Sequence, residues 1–417
     1  MGVGGSGISG VAMLTRKMGY NVSGCDLESS TAYLKNVFKG HSSSHVKNVD
    51  LVVASPAVYY QNSKHPEFLL AKKEEKLITW QKFLGNYLHK GKVVICVAGT
   101  HGKSTTTAMV GKLLEDVGLD PLVMVGAVIP LWGGNARYGK GKYFVTEADE
   151  FFNNFLNYNP EIIILNNIEY DHPDFFRSEE SVYKSFKKFI GKLVGRKILI
   201  VNGKDSGIKK VLTNVNLNKI NLIKYKPSEN DKSGLKLKVF GSHNISNALG
   251  VVELGRVLGI PDKLVRESLD SFIGIGRRME LIYYKKSVRM YDDYAHHPTA
   301  IAVTLSGLRR EFPKSRIWAI VEPHGFDRTH ALLSLYKGVF QEADKVIVGP
   351  IFKARDKMTF GITPKKVCEA SGHIDATGLN SFAKIKKTLR SGVKAGDVIL
   401  VMGAGKSYLW AKNLLKN

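Results

Sequence analysis

One stretch of the chain has the order of residue types typical of a loop that binds a phosphate chain. The apolar run 93–97 leads into Gly99-Thr100-His101-Gly102-Lys103-Ser104, and a helical pattern begins at Thr105. Backbone N–H groups of such a turn surround phosphate oxygens, while Lys103 would neutralise charge and Ser104 would reach Mg²⁺. Val97 stands where the general pattern has its first glycine. The alternative is a tight turn with an incidental lysine.

Two polar clusters follow later predicted strands. Glu147-Ala148-Asp149-Glu150 comes after strand 143–146, and Asn166-Asn167-Ile168-Glu169-Tyr170-Asp171-His172 comes after strand 162–165. Ligands bind at the carboxyl ends of strands in an open parallel sheet. Taken alone, each cluster fits a loop of helix caps and solvated charge. Their joint position after strands of a phosphate-loop domain instead predicts ligands for a Mg²⁺ ion that bridges ATP oxygens.

The N-terminus carries a second glycine loop. Gly2-Val3-Gly4-Gly5-Ser6-Gly7 fits the G-x-G-x-x-G pattern of dinucleotide sites, and Asp26 follows about 20 residues on. A sugar nucleotide presents the same pyrophosphate, so the loop does not by itself separate NAD from UDP. An NAD-dependent dehydrogenase is therefore one hypothesis. The neighbouring phosphate loop favours an ATP enzyme that holds a second nucleotide here, although almost no strand precedes Gly2.

Two further clusters combine amide, carboxylate and imidazole groups. In Ser242-His243-Asn244-Ile245-Ser246-Asn247, two amides three residues apart suit an adenine edge, although a helix cap is an equal alternative. Asp292-Asp293-Tyr294-Ala295-His296-His297-Pro298 suggests zinc at first sight. Cysteines or further histidines at ligand spacing are missing there, and the three cysteines of the chain are far apart. The sequence therefore predicts neither a zinc site nor a disulfide framework.

Alternating apolar runs and helical patterns predict a parallel α/β fold. The predicted strands are 21–25, 50–54, 93–97, 143–146, 162–165, 197–201, 235–240, 287–291, 316–321, 345–348 and 397–402. The predicted helices are 11–18, 105–117, 181–191, 247–258, 299–312 and 333–342. We expect three consecutive domains: a Rossmann-like domain at 1–90, a central P-loop ATPase-like domain at 91–274 and a Rossmann-like domain at 275–417. Gly274–Arg278 would link the last two.

Composition limits the classes of partner. The 417 residues carry a formal net charge of +24, yet no basic run interleaved with aromatic residues marks a nucleic-acid track. A nucleic-acid-binding regulator remains an alternative, but Lys-rich solvated faces explain the charge more simply. The cysteine pattern suits a reducing cytosol. Since no apolar run reaches about 18 residues and no signal peptide is recognised, we expect a cytoplasmic protein without membrane insertion.

The motifs, in this order, resemble the Mur ligase family over nearly the whole chain. They are Gly-Thr-His-Gly-Lys-Ser, Glu-Ala-Asp-Glu, Asn-Ile-Glu-Tyr-Asp-His, His-Asn-Ile-Ser-Asn-Ala, Gly-Arg-Arg and Asp-Asp-Tyr-Ala-His-His-Pro. The resemblance implies separate domains for a UDP-sugar, ATP and an amino acid. It implies an enzyme of peptidoglycan-precursor synthesis that ligates the amino acid to the carboxylate of UDP-N-acetylmuramate through an acyl phosphate. Such an enzyme would be a monomer or a homodimer.

Within the family, two branches share the form of the N-terminal loop: one adds L-alanine and one recycles a ready-made tripeptide. Gly133–Arg137 and Pro323–Thr329 resemble the alanine branch, which is favoured. Gly325 departs from that branch, which usually has arginine there, and Phe151-Phe152 replaces its usual Ser-Asp. Trp80 resembles the recycling branch, which stays the alternative.

The resemblance also implies roles for individual residues. ATP would be bound by Gly99, Thr100, His101, Gly102, Lys103, Ser104, Thr105, Asn244, Asn247, Arg278 and Asp293. The UDP-sugar would be bound by Gly4, Gly5, Ser6, Gly7, Asp26 and Ser55. Mg²⁺ would be held by Ser104, Glu147 and His172. Lys103, His297 and Arg328 would be the catalytic residues, with the last two placing the amino acid and the acyl phosphate.

Overall fold

The computed structural model describes residues 1–27, 37–56, 58, 64–213, 215–227, 234–354 and 356–414. They form two compact units. The first unit comprises Met1–Ile168, Tyr183–Pro227 and Asn247–Leu269. The second unit comprises Glu169–Val182, Ser228–Ser246 and Asp270–Asn417. Within the described residues, no helix combines the length and the apolar character needed to cross a bilayer.

Helices and strands alternate along the chain. The helices are α1 Ser6–Lys17, α2 Pro66–Lys73, α3 Trp80–Phe83, α4 Lys103–Asp116, α5 Glu179–Ile190, α6 Ser206–Leu212, α7 Ser242–Val257, α8 Asp262–Asp270, α9 Pro298–Glu311, α10 Phe326–Ala331, α11 Pro364–Ser371, α12 Phe382–Gly392 and α13 Ser407–Asn413. The strands are β1 Gly24–Asp26, β2 Val37–Lys39, β3 Val52–Ala54, β4 Leu77–Thr79, β5 Val93–Ala98, β6 Leu122–Ile129, β7 Gly134–Arg137, β8 Tyr143–Ala148, β9 Ile162–Leu165, β10 Ile198–Asn202, β11 Asn221–Tyr225, β12 Glu280–Lys285, β13 Val288–Asp293, β14 Ile317–Glu322, β15 Lys345–Val348, β16 Ala376–Gly378 and β17 Val398–Gly403.

The first unit is built on a seven-stranded sheet with the order β11-β10-β9-β5-β8-β6-β7. Every neighbouring pair is parallel except β6 with β7. β5 is apolar along its length because both faces of the sheet are covered. Ala98, its last residue, pairs in register with Ala148 of β8 and Leu165 of β9. Parallel pairing therefore brings the residues after these three strands to one edge of the sheet.

The N-terminal part of the first unit contains two small parallel sheets, β1 with β2 and β3 with β4. Met1 is bonded to β3 in the manner of a parallel strand, because its amino group donates to Val53 O at 2.8 Å and Ser55 N–H donates to Met1 O at 3.0 Å. On the other side, Gly2 N–H donates to Cys25 O of β1 at 2.9 Å. The first two residues thus connect the two small sheets.

The second unit contains a six-stranded sheet with the order β12-β13-β17-β14-β15-β16. Only the edge strand β12 runs antiparallel to its neighbour. On one face, Ile301 and Leu305 of α9 pack against Ala319 and Leu400 of the sheet, and all four are fully buried. Such burial of apolar side chains is the main force that holds each helix to its sheet.

Two predicted elements are wrong. Residues 235–240 do not form a strand; Lys236 N–H donates to Asp270 Oδ1 at 2.6 Å, so a side chain takes the place of a strand partner. The predicted helix 333–342 is only a short 3₁₀ turn, Leu333–Tyr336. Gly338 follows with a φ of 73°, a left-handed conformation that a right-handed helix does not accept. The first stretch has the alternation typical of a strand and the second has helical spacing, but the local backbone contacts and conformation override both patterns.

A buried carboxylate supports the six-stranded sheet. Asp397 accepts two hydrogen bonds from the Arg316 guanidinium, at 2.6 and 3.1 Å, and one from Trp318 Nε1 at 2.9 Å. We expect Asp397→Ala to lower the free energy of unfolding by about 2–3 kcal/mol, because charged hydrogen bonds are lost and buried donors remain. Chemical denaturation would measure it. The control is Asp375→Ala, which breaks a half-exposed pair with Lys345 and should cost less than about 1 kcal/mol. Equal costs would contradict this account.

Candidate phosphate and nucleotide site

The turn between β5 and α4 has the backbone shape that its glycines permit. Gly99 has a φ of 135° and Gly102, which immediately precedes α4, has a φ of 80°. A Cβ on Gly99 would lie 2.9 Å from Asn167 O, and one on Gly102 would clash with Asn247 Oδ1. Both positions therefore require glycine, for conformation and for space. The expected strand–loop–helix context of Gly99–Ser104 is confirmed.

The turn is held by two asparagines that follow β9. Thr100 N–H donates to Asn167 O at 3.1 Å, and His101 N–H donates to Asn167 Oδ1 at 2.8 Å. Asn166 Nδ2 donates to Thr106 Oγ1 at 3.0 Å, while the buried Asn166 Oδ1 has no hydrogen-bond partner. The motif at 166–172 was recognised from the sequence, but neither asparagine was given a role. Their positioning of the loop depends on the pairing of β9 with β5.

Lys103 lies inside this turn. Its Nζ donates to Gly99 O at 2.6 Å and to Glu150 Oε2 at 2.8 Å, and it lies 4.0 Å from Asp149 Oδ1. Burial acts to lower the pKa of Lys103, but the negative charges of Glu150, Asp149 and Glu147 outweigh it and raise the pKa. Lys103 is therefore a cation whose charge is balanced by the cluster after β8. The sequence predicts a role for this cluster as Mg²⁺ ligands, but it does not predict that Glu150 pairs with Lys103.

Oxygen donors suited to a divalent cation lie in the same unit. Ser104 is buried in the first turn of α4, where Thr105 is also buried. Glu147 pairs in register with Val97 of β5, and its Oε1 accepts a hydrogen bond from Gly126 N–H. A hydroxyl and carboxylates are hard oxygen ligands of the kind that Mg²⁺ prefers. Ser104 after β5 and Glu147 near the end of β8 thus fit the expected ion in their chemistry.

The N-terminal glycine loop is bordered by the residues predicted to act with it. Gly4 N–H donates to Asp26 Oδ2 at 2.7 Å, so the carboxylate about 20 residues on does reach the loop. Ser55 lies beside Gly2, where an added Cβ would be 3.0 Å from Ser55 Cβ. Gly5 precedes α1, whose first residue is Ser6.

Two side chains from other elements close around the same loop. Trp80 packs on Gly7, where a Cβ would lie 2.8 Å from Trp80 Cζ2. Asn135 of β7 donates from Nδ2 to Ser6 O, and to Ser9 Oγ at 3.4 Å. In the sequence, Trp80 and Asn135 stand out only as features shared with the family. The contact of Asn135 shows that β7 of the seven-stranded sheet supports the glycine loop, and α3 supports it through Trp80.

In the second unit, Arg328 of α10 and Asp171 form a buried ion pair through Nη2 and Oδ2. His172 follows with a φ of 54°, and its N–H donates to Asp171 Oδ1 at 2.6 Å. Burial acts to raise the pKa of Asp171, but the charge of Arg328, with those of His172 and His297, holds it well below its ordinary value. Asp171 was not among the predicted site residues, yet it positions Arg328.

The other predicted residues of the second unit bind nearby backbone. His297 caps α9, because its Nδ1 accepts from Thr299 N–H at 3.3 Å. Asp293 accepts from Met279 N–H at 2.8 Å and Ala295 N–H at 2.7 Å. Their expected ligand roles stay predictions.

Two further residues complete the placement of the predicted set. Arg278 stacks 5.1 Å over the ring of Tyr294. Asn244, in the first turn of α7, donates from Nδ2 to Phe240 O at 2.6 Å, whereas Asn247 of the first unit lies against Gly102. This bond of Asn244 is not a helix cap, because the amide donates to a carbonyl before the helix, and a role at adenine stays a prediction for both asparagines.

Arg277 connects β13, β17 and the start of α13. In the sequence it is only part of a predicted linker. Its guanidinium donates to Gly403 O at 2.6 Å and to Ser407 Oγ at 3.1 Å, and it lies 3.2 Å from Asp292 Oδ2. Burial raises the pKa of Asp292 to about 6, although Arg277 opposes this. No signal in the residue types distinguishes Arg277 from Arg278; only the fold does.

Three family profiles match successive parts of the chain. They are described as the Mur ligase family catalytic domain at residues 1–86, the Mur ligase middle domain at 97–234 and the Mur ligase glutamate ligase domain at 277–405. The UDP-N-acetylmuramate–L-alanine ligase of Caldicellulosiruptor bescii is 34% identical over 436 aligned residues, which cover 97% of this chain and 95% of that protein. The chain belongs to the Mur ligase family.

Other comparisons agree with this membership. The protein of the same name from Acetivibrio thermocellus is 33% identical, over 100% of this chain and 95% of its own length. The crystal structure of the Thermotoga maritima UDP-N-acetylmuramate–alanine ligase aligns with a TM-score of 0.78 at 26% identity, over 99% of this chain and 97% of that one. A murein peptide ligase from Psychrobacter arcticus shares the fold, with a TM-score of 0.71 at 23% identity, over 99% of this chain and 97% of that one. The predicted α/β Mur ligase architecture is confirmed.

The Asp171–Arg328 pair should make stability depend on pH. Because the pKa of Asp171 is depressed in the folded state, its contribution is present above the unfolded value of about 3.9 and is lost as pH falls below it. We expect Asp171→Asn to cost about 3 kcal/mol near pH 7 and progressively less below about pH 4. Denaturation across pH would measure this. The exposed Asp174→Asn should show no such pattern, and a pH-independent cost for Asp171→Asn would contradict the pairing.

Proposed function

We propose that the protein is an ATP-dependent, ADP-forming ligase that joins an amino acid, L-alanine, to the carboxylate of UDP-N-acetylmuramate. The observation that supports this most is Lys103, held by Gly99 O and Glu150 in a glycine turn between β5 and α4. Such a turn offers N–H groups and a cation to a phosphate chain. The substrate assignment rests on the relatives named above.

The reaction converts a carboxylate, which is a poor electrophile, into an acyl phosphate, which is a good one. A carboxylate oxygen attacks the γ-phosphorus of ATP, the bond to the bridging oxygen breaks, and ADP leaves with an acyl phosphate formed. The neutral amine of the amino acid then attacks the carbonyl carbon, the C–O bond to phosphate breaks, and the nitrogen loses a proton. Both steps need mainly positioning and charge neutralisation.

The chain's own residues have distinct parts in this proposal. Lys103 exchanges the Glu150 carboxylate for phosphate oxygens when ATP binds, since either anion can balance its charge. Ser104 and Glu147 provide oxygen donors for Mg²⁺, which when bound neutralises phosphate charge. His172 as a third ligand, and His297 and Arg328 at the amino acid, remain predictions from the family resemblance.

The N-terminal loop is proposed to hold the UDP diphosphate. Gly4 and Gly5 lead into α1, and Ser6 and Gly7 are its first residues, where backbone N–H groups and the helix dipole favour an anion. Asp26, which accepts from Gly4 N–H, and Ser55 border this loop. The proposal includes a cytoplasmic location, a monomer or homodimer, and no nucleic-acid partner.

Removal of the Lys103 ammonium tests the phosphate site. We expect Lys103→Ala to reduce ATP-dependent ligation by at least about 100- to 1000-fold, because transition-state charge is no longer neutralised. Phosphate release coupled to product formation would measure it, with circular dichroism to confirm folding. The matched control is Lys112→Ala on the opposite side of α4, where the lysine pairs with Asp116. Near-normal turnover in a folded Lys103→Ala protein would refute the assigned role.

The acceptor can be decided by one direct comparison. Incubation with ATP, Mg²⁺ and UDP-N-acetylmuramate should give ADP, phosphate and a ligated product with L-alanine, detected by mass spectrometry. We expect the tripeptide of the recycling branch to give at least about tenfold less product. The reverse preference would establish the recycling ligase, which Trp80 favours. Absence of turnover with either acceptor would contradict the proposed substrate. The role of Lys103 could then still be tested by comparing ATP binding to the unaltered protein and to Lys103→Ala.

A further inference from the structure

Four side chains with metal-binding atoms converge in the N-terminal part of the first unit. Cys25 Sγ lies 3.2 Å from His41 Nδ1 and 3.2 Å from Glu67 Oε1. His41 Nδ1 lies 3.3 Å from Glu67 Oε2, and His45 Nδ1 lies 3.5 Å from the same oxygen. None of the four has a part in the proposed ligase reaction, so this cluster needs its own explanation.

One donor atom from each of Cys25, His41 and Glu67 lies within 4.8 Å of the other two, so these three residues can share one metal ion. Zinc bonds of about 2.0–2.3 Å to nitrogen, oxygen and sulfur put neighbouring ligand atoms about 3.3–3.8 Å apart. The four observed separations lie between 3.2 and 3.5 Å. His41 and His45 also have the H-x₃-H spacing found in zinc sites. His45, which lies 3.5 Å from Glu67 Oε2, would move closer to Cys25 and His41 to complete a tetrahedron around the ion.

The charge of the cluster also calls for a cation. Glu67 is only 2% exposed, and its ion-pair partners among the described residues are the imidazoles of His41 and His45. A buried carboxylate without a full positive partner is costly. A Cys25 thiolate together with Glu67 would balance the two charges of Zn²⁺, with the imidazoles neutral. The buried Nδ1 of His45 makes no hydrogen bond and is thus available as a ligand.

The surroundings position these ligands. Ser42 N–H donates to Glu67 Oε2 at 3.1 Å, and the His45 ring stacks on Phe38 with centroids 4.8 Å apart. His65 is not counted among the ligands, because its Nδ1 accepts a hydrogen bond from Glu67 N–H at the start of α2. Cys25, His45 and Glu67 also line a cavity of about 880 Å³, which gives an ion a route to the cluster.

We propose that Cys25, His41 and Glu67 bind a Zn²⁺ ion, with His45 as the fourth ligand. One thiolate, two imidazoles and one carboxylate form a ligand set that zinc accepts and that disfavours Mg²⁺. The ion braces β1, whose Cys25 carbonyl accepts hydrogen bonds from Gly2 and Val3 next to the glycine loop. The cysteine spacing that argued against zinc in the sequence missed this site, because it uses a single cysteine.

Cobalt substitution tests the proposal on the whole chain. After removal of metal by a chelator, Co²⁺ titration should saturate a near-ultraviolet thiolate-to-cobalt band, with visible bands of tetrahedral cobalt, at one equivalent. Cys25→Ser should lose the near-ultraviolet band, and Glu67→Gln should weaken Co²⁺ binding by at least about tenfold. Cys368→Ser is the matched control and should leave the spectrum unchanged. A thiolate band separates this site from oxygen ligands at the nucleotide site.

The unaltered protein alone can overturn the proposal, so a variant that fails to fold does not obscure the result. Absence of a thiolate band with excess Co²⁺ would mean that the cluster is only a hydrogen-bonded network. Retention of the band in a folded Cys25→Ser protein would place the metal elsewhere. As a second measurement, one equivalent of Zn²⁺ should slow alkylation of Cys25 by iodoacetamide at least about tenfold and leave Cys368 unaffected; equal rates with and without Zn²⁺ would contradict the site.

Discussion

The charge of Lys103 has to be balanced within a buried glycine turn, and the arrangement of polar residues around that turn depends on this constraint. An ammonium group removed from water is costly unless anions or carbonyl oxygens surround it. Here Glu150 and Gly99 O meet that need. The same arrangement keeps the lysine extended across the turn, so a phosphate chain would meet a cation that is already ordered. Glu150 thus balances the charge of Lys103 in the structure.

The parallel sheet explains how distant residues come to serve one turn. β8 and β9 flank β5, and each ends in polar residues that contact the turn: Glu150 after β8 and Asn167 after β9. Because the strands are parallel, their carboxyl ends lie at the same edge of the sheet. The turn after β5 therefore lies between the polar cluster that follows β8 on one side and the one that follows β9 on the other. In the second unit, Arg328 depends on Asp171 in a similar way.

Features that depend on contiguous residues could be predicted from the sequence, whereas contacts between residues far apart in the chain could not. The glycine turn between β5 and α4 and strands such as Ile162–Leu165 were predictable, because contiguous residues define them. The contributions of Glu150 and Arg277 were not, because side-chain partners far apart in the chain decide them. The amphipathic run 235–240 failed as a strand for a related reason: alternation reports a buried face but not the presence of a neighbouring strand. The cluster at Cys25 likewise draws on residues separated by up to 42 positions.

The indole of Trp80 rests on Gly7, at the start of the helix that the N-terminal loop leads into. Indole emission responds strongly to changes in polarity and to nearby charge. Trp80 is therefore an intrinsic fluorescent probe of the glycine loop. A change of emission on addition of a sugar nucleotide would report its binding at this loop without any label, above the background emission of the chain's three other tryptophans.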